Sequence, residues 1–313
     1  MSDYASTLER TREAFAALAR LEAAMARAPG DPALEMNFRA RKRLAERYQG
    51  ELFSLAEQAN IEVCQYRLIP NNQRQHYPIG SIAKSISVFQ ELFTLIFASV
   101  KTGVKKRARV SAAISAHTEL EFGYTYPGSL GLVMTVPSSR DLFSGEFDQS
   151  LDTLNQVMGI ANRGDVVEIA RHYGAPIVTR AYWWSSENYK GDFSVDVTWR
   201  RSDGQQRGTH VAKTQMAKII EMIEQTSDQQ TAVLPEMSGI LVGWDTPTRW
   251  FHFVVPGGES YQGTLGKDFP AAARYEVNRS YRAVIAETTV VHFATEKTTT
   301  RYELRVLKEE KSS

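Results

Sequence analysis

The stretch that most limits how this chain can fold is Val88–Val100, VFQELFTLIFASV, its densest apolar run. With Gly103 as a stop, it predicts a helix from about Ser81 to Thr102, buried among the other elements. A basic run with Lys105, Lys106, Arg107 and Arg109 follows. Leu120–Tyr126 and Leu130–Val136 then read as two strands joined by Pro127-Gly128, a type II turn signature. The segment from Tyr77 to Val136 is therefore the one around which the chain is organised.

The flanking sequence divides into two further parts. Tyr4, Leu8, Phe15, Leu18 and Met25 form one stripe of an N-terminal helix, broken at Ala28-Pro29-Gly30. Asp31 followed by Pro32 is a helix-start signal, and the second helix runs to about Asn60, with Phe38, Leu44, Tyr48, Leu52 and Leu55 at spacings of three and four. Two such helices form an antiparallel hairpin, and the narrow stripes resemble a coiled-coil seam. Residues 1–60 are thus expected to form a protruding arm for oligomerisation or partner docking.

After a strand at Ile61–Ile69, helices are expected at Asp148–Ile160, from a cap at Asp165 to Gly174, through Arg180–Trp184 to Gly191, and at Thr214–Thr226. Phe193, Val195, Val197 and Trp199 alternate with polar residues, which predicts a half-buried strand over 192–200, with a tight turn at Asp203-Gly204. From about Thr231 short strands follow closely: Met237–Trp244, Arg249–Val255, Ser260–Leu265, Ser280–Thr289, Val290–Ala294 and Arg301–Leu307, with a helical turn at Phe269–Arg274. The expected fold is α+β: a helical hairpin (1–60), a central α+β domain (61–230) and a small β-barrel of SH3-like or OB-like type (231–313).

Composition narrows the function. The chain has 313 residues and a single cysteine, Cys64, which excludes an internal disulfide framework and a cysteine zinc cage. Its six histidines never fall at ligand spacing, so neither a metal nor a cofactor is expected. MSDYASTLERTREAF is charged and amphipathic, unlike a secretory or mitochondrial leader. The longest apolar run falls short of the roughly 20 residues of a membrane span. These features predict a cytoplasmic protein with no membrane partner. Residues 1–110 hold 17 Lys/Arg against 11 Asp/Glu, while residues 111–313 hold 20 against 25. That split fits an acidic partner for the N-terminal part, or attraction between the halves.

Three patterns bear on chemistry. Gly80-Ser81-Ile82-Ala83-Lys84 resembles the S-x-x-K segment of serine β-lactamases and penicillin-binding proteins, which implies Ser81 as nucleophile and Lys84 as its activator. The chain lacks the companion elements of that family: Lys101-Thr102-Gly103 ends the same helix, and Ser185–Asn188 is a poor middle element. The expected reading is a helix cap at Ser81 and a solvated Lys84. Second, Arg39, Arg41, Lys42, Arg43 and Arg47 crowd helix two, and with Lys105, Lys106 and Arg107 they would make a phosphate-binding surface. Third, tryptophan stands beside arginine at Arg180–Trp184 (Trp183, Trp184), Trp199–Arg201 and Arg249-Trp250. Such pairs serve core packing, protein interfaces or single-stranded nucleic acid.

A helix carrying Ser85, Ile86, Phe89, Gln90 and Leu92, then a strand pair with Pro127, Gly128 and Ser129, then a small barrel, resembles uncharacterised bacterial proteins of mobile and anti-phage defence islands. The resemblance implies no catalytic residues, and it implies an accessory or sensing component of an assembly. The expected function is non-enzymatic binding or assembly, as a homo-oligomer or complex subunit. Nucleic-acid binding and a Ser81/Lys84 acyl-enzyme are the alternatives.

Overall fold

A computed structural model of the chain describes residues 2–72, 78–127, 130–137, 145–201, 204–269, 274–295 and 297–310. His76, Tyr77, Gly128, Ser129, Asp203 and residues 270–273 of the expected helical turn lie outside the described residues. The protein is mixed α+β and divides into two compact units, Met1–Gln225 and Thr226–Ser313.

The first unit opens with helices α1 (Ser2–Arg27) and α2 (Pro32–Gln58). Asp31 caps α2 by accepting from the Ala33 and Leu34 amides, with Pro32 in the first turn. The hairpin is not a protruding arm. Ala45, Leu52, Phe53 and Ala56 of α2 join one buried cluster with the sheet residues Val63, Tyr124 and Val133. Phe15 stacks on Tyr124 at 5.2 Å, and the Arg12 guanidinium donates to the Gly123 carbonyl at 2.6 Å.

The sheet beneath is built from β1 (Ile61–Pro70), β2 (Glu121–Tyr126), β3 (Leu130–Pro137), β4 (Phe193–Arg200) and β5 (Gln206–Val211). Their order is β2-β3-β1-β4-β5, and every neighbouring pair is antiparallel. Its other face carries α3 (Ile79–Thr102), α4 (Ala112–Thr118), α5 (Glu146–Met158), α6 (Arg163–His172), α7 (Ala175–Gly191) and α8 (Lys213–Glu224). Helix α3 is the core helix: Phe89 meets Tyr66 at 4.8 Å and Phe93 meets Trp199 at 5.0 Å. By length and composition α3 could also cross a membrane, contrary to the estimate from its longest unbroken run. Ile79, Ile82, Ala83 and Ile86 extend the apolar character of the helix ahead of that run.

Several expected boundaries shift. Pro78 is the N-cap of α3, so the helix starts at Ile79 and Ser81 lies inside the first turn, not at the cap. Asn162 caps α6, and Asp165 is its reciprocal capping-box partner at the third position. Helix α4 and strand β5 are additional elements. α4 is one short turn pair begun by the Ser111 hydroxyl, and β5 has only one buried apolar residue, Val211.

Two polar clusters are locked into the first unit. The Tyr66 hydroxyl lies 2.7 Å from Ser85 Oγ and accepts from Trp184 Nε1 at 2.9 Å. Ser85 Oγ donates to Asn188 Oδ1 at 2.7 Å, and Asn188 Nδ2 donates to the Trp184 carbonyl at 2.8 Å. Burial pushes the Tyr66 hydroxyl up to about 12, against the lowering effect of these hydrogen bonds. Tyr66→Phe removes an acceptor from the indole and a partner from Ser85, so it is expected to cost about 1–2 kcal/mol in urea unfolding. An unchanged urea midpoint would contradict the accounting. The second cluster joins buried Arg201 to buried Glu62, with Nε 3.4 Å from Oε2, and to Asp148.

In the second unit, β6 (Ser227–Val233) precedes β7 (Met237–Asp245), β8 (Trp250–Val254), β9 (Ser260–Leu265), β10 (Arg279–His292) and β11 (Lys297–Glu309). β7 pairs antiparallel with β8, and β8 with β9. β9 runs parallel to β11; β11 pairs antiparallel with β10, and β10 with β7. This closes a five-strand barrel. Leu241, Phe251, Phe253, Tyr281, Ile285 and Leu304 fill it. The segments expected as Ser280–Thr289 and Val290–Ala294 are mostly one strand, β10, because the run Thr288-Thr289-Val290-Val291 has no breaker. The far half of β10 pairs with β6, a polar strand without the alternation that would reveal it.

Candidate functional site

Trp250 anchors the outward face of the barrel. β8 alternates, with Phe251 and Phe253 in the core and Trp250, His252 and Val254 on the other side. Register places Val254 beside Ile240 and Ser260, His252 beside Gly243 and Gln262, and Trp250 beside Asp245 and Thr264. An irregularity between Leu241 and Gly243 inserts an extra residue, Val242, opposite no partner. Ile240 is 46% exposed, Val242 41% and Trp250 38%.

Gly243 makes this arrangement possible. A Cβ at that position would come within 2.8 Å of Trp250 Cη2, so the bare backbone serves as a seat on which the indole lies. The His252 ring stands 6.1 Å from the indole, and its Nε2 is 2.8 Å from Ser260 Oγ. Three adjacent strands thus present an apolar centre beside an imidazole, with hydroxyl and amide groups from Ser260, Gln262 and Thr264 along the edge. Such a face can hold a flat or apolar group and orient it by a few hydrogen bonds. Ser260 Oγ and His252 Nε2 pair a hydroxyl with an imidazole at an exposed edge of this face.

The neighbouring Arg249 has a different task from the expected one. It adopts a positive φ of 53° and donates to the Leu265 carbonyl at 3.2 Å and to the Gly266 carbonyl. Its guanidinium therefore fastens the end of β9 in place of stacking with Trp250.

The other tryptophan pairs separate into core and surface. Trp184 is buried in the Tyr66 cluster, and Trp199 packs between Phe93 and Phe147. Trp183 stays at the surface under the Arg180 guanidinium, 4.2 Å from the ring centroid, and Arg180 lies 2.7 Å from Glu91.

The cations of α2 are largely matched along their own helix. Arg39 pairs with Glu35 at 3.4 Å, Lys42 with Glu46 at 3.9 Å and Arg47 with Glu51 at 3.0 Å, while Arg41 and Arg43 are exposed. Lys105 donates to Thr102 Oγ1 at 2.6 Å, and its amide binds the Tyr173 carbonyl; Lys106 and Arg107 are exposed. The hairpin covers one face of the sheet and Lys105–Arg107 follow α3 on the other. The two basic stretches therefore do not form one phosphate-binding surface.

Lys84 is exposed and sits 3.8 Å from Glu187, so the desolvated ammonium that would activate Ser81 is missing. Cys64 is buried and its thiol is pushed up by burial, away from reactivity.

Sequence reading picked out Trp250 but not Gly243, Val242 or Ile240. The one available signal was a glycine inside an otherwise apolar strand, Ile240–Trp244. No family model, curated protein or solved structure matches the chain.

Proposed function

We propose that the chain is a non-enzymatic binding and assembly protein, an oligomer or accessory subunit, that docks through the outward face of an OB-type barrel. Numbered within the barrel, its strands pair in the order 1-2-3-5-4-1 with a parallel contact between the third and the fifth. This pairing supports an OB-type over an SH3-like barrel, and OB-type barrels bind on the face of strands 2 and 3. The observation that carries the reading is the exposed group Ile240, Val242 and Trp250, which lies beside that face on adjacent strands. Exposed large apolar side chains in contiguous positions mark interaction sites more often than scattered ones do. The unit's charges also fit: Thr226–Ser313 holds ten Lys/Arg against eleven Asp/Glu, so a polyanion would meet no cationic excess.

Val242→Asp combined with Trp250→Asp places two charges in the patch. The double variant is expected to lower the solution mass of an oligomeric wild type by at least one subunit, with unchanged circular dichroism. Retention of the wild-type mass would contradict docking through this face.

A second reading is favoured by Trp250 itself, whose flat, seated indole beside an imidazole suits stacking with an unpaired base. It predicts salt-sensitive retention of a short single-stranded oligonucleotide that Trp250→Ala lowers about tenfold.

A further inference from the structure

The sheet face under the hairpin changes character along its length. At one end Val63, Tyr124 and Val133 are sealed by Leu52, Phe53 and Ala56. The row of Tyr124 and Val133 continues into Gln65 and Thr198, and the row beyond it crosses all five strands as Tyr126, Gly131, Arg67, Asp196 and His210. Gly131 contributes no side chain, and a Cβ there would overlap the Tyr126 ring, so the phenol lies flat across β3. The Asp196 carboxylate is bonded to His210 Nδ1.

The hairpin does not close over these rows. It leaves a cleft of about 410 Å³ with Phe15, Leu18, Phe38 and Tyr126 as apolar walls. Gln65, Arg67, Asp196 and Thr198 form its floor, and Glu22, Lys42 and Glu46 line the helix side. Arg67 and Asp196 are directly opposed on β1 and β4, positions whose Cβ atoms stand about 5 Å apart, and both side chains line the cleft. Burial raises the Tyr126 hydroxyl, Arg67 lowers it and Asp196 raises it, so both charges act at the aromatic wall.

The chemistry selects a narrow class of ligand. A simple anion would be drawn to Arg67 and Lys42 but opposed by Asp196, Glu22 and Glu46. A simple cation would meet the reverse. A zwitterion satisfies both sets at once, since a planar guanidinium takes a carboxylate bidentately and the acidic groups take an ammonium. Apolar walls on both sides supply burial for a hydrocarbon body, and the volume falls within the range of small-molecule pockets. We propose that the cleft between the hairpin and the row Tyr126–Arg67–Asp196 binds a small zwitterion with an apolar body, of the free α-amino acid class. This site is separate from the barrel face and does not depend on it.

The test is calorimetric titration of the full chain with L-phenylalanine, phenylacetate and phenethylamine. L-phenylalanine is expected to bind at least about tenfold tighter than either half-molecule, the worth of one charge-assisted contact. Arg67→Met is expected to weaken it about tenfold, and so is the isosteric Asp196→Asn, which keeps the shape of the floor if Arg67→Met does not fold. Three results would each overturn the proposal: no binding of L-phenylalanine, equal binding of L-phenylalanine and one half-molecule, or affinities unchanged in Asp196→Asn.

Discussion

Arg201→Met is expected to lower the unfolding free energy by about 3–5 kcal/mol, the typical loss when one partner of a buried ion pair is removed. Glu62 is the reason. It sits on β1 facing the helical layer, fully buried, with the Arg201 guanidinium 3.4 Å from its carboxylate. Arg201 is itself buried, and its second partner, Asp148, is half in solvent. Removing the arginine returns Asp148 to water at little cost but leaves a carboxylate inside the core without its cation. Burying an unpaired charge is far more costly than losing an exposed pair, which is worth about 0–1 kcal/mol. The double variant Glu62→Leu with Arg201→Met should recover much of the loss, since the uncompensated charge is then gone. A urea midpoint for Arg201→Met within error of wild type would show that the pair is not buried as described.

Gly263→Ala is the second large effect, expected to destabilise the barrel by about 3 kcal/mol, the upper end for overpacking. Gly263 lies opposite Tyr302 where β9 runs parallel to β11, the contact that closes the barrel. An added Cβ would overlap the Tyr302 carbonyl oxygen, which is backbone and has no rotamer to change. The strands must move apart, and slow amide exchange along β11 should be lost with them. Gly257→Ala serves as a control of different kind: it strains a positive φ of 105° in an open turn but meets no atom within 4 Å. If Gly263→Ala exchanges and unfolds like wild type, the parallel closure is wrong, and the OB-type reading goes with it.

Elements that satisfy one face at a time are the ones legible from sequence. β4 is plain because Phe193, Val195, Val197 and Trp199 all meet one layer while Asp196 and Thr198 turn the other way. The start of α2 is equally plain, because Asp31 and Pro32 settle it within four residues. β5 and β6 are hidden because their neighbours supply most of the apolar surface, so QRGTHV and SDQQTAV carry no period of their own. The hairpin misleads for a related reason: a coiled-coil seam and a sheet-facing row share Leu52, and only the sheet reveals that Phe53 and Ala56 have a partner.

The candidate sites divide in the same way. Trp250 is visible as a residue type beside an arginine. Its seat on Gly243 and its neighbour Ile240 depend on strand register, which local sequence does not specify. The charged row is further out of reach, because Arg67, Tyr126, Asp196 and His210 come from four strands spread over nearly half of the chain. Conversely, Ser81 with Lys84 is a clear local pattern whose surroundings do not support the chemistry: a nucleophile needs a desolvated activator, and Lys84 faces solvent beside Glu187.

The most direct measurement of the central claim is the solution mass of the full chain by light scattering at micromolar concentration, with absorbance at 260 and 280 nm recorded across the same peak. The account predicts a discrete oligomer with a protein-like absorbance ratio. A monomer at every concentration, or a peak whose excess 260 nm absorbance is stripped by salt, would contradict it.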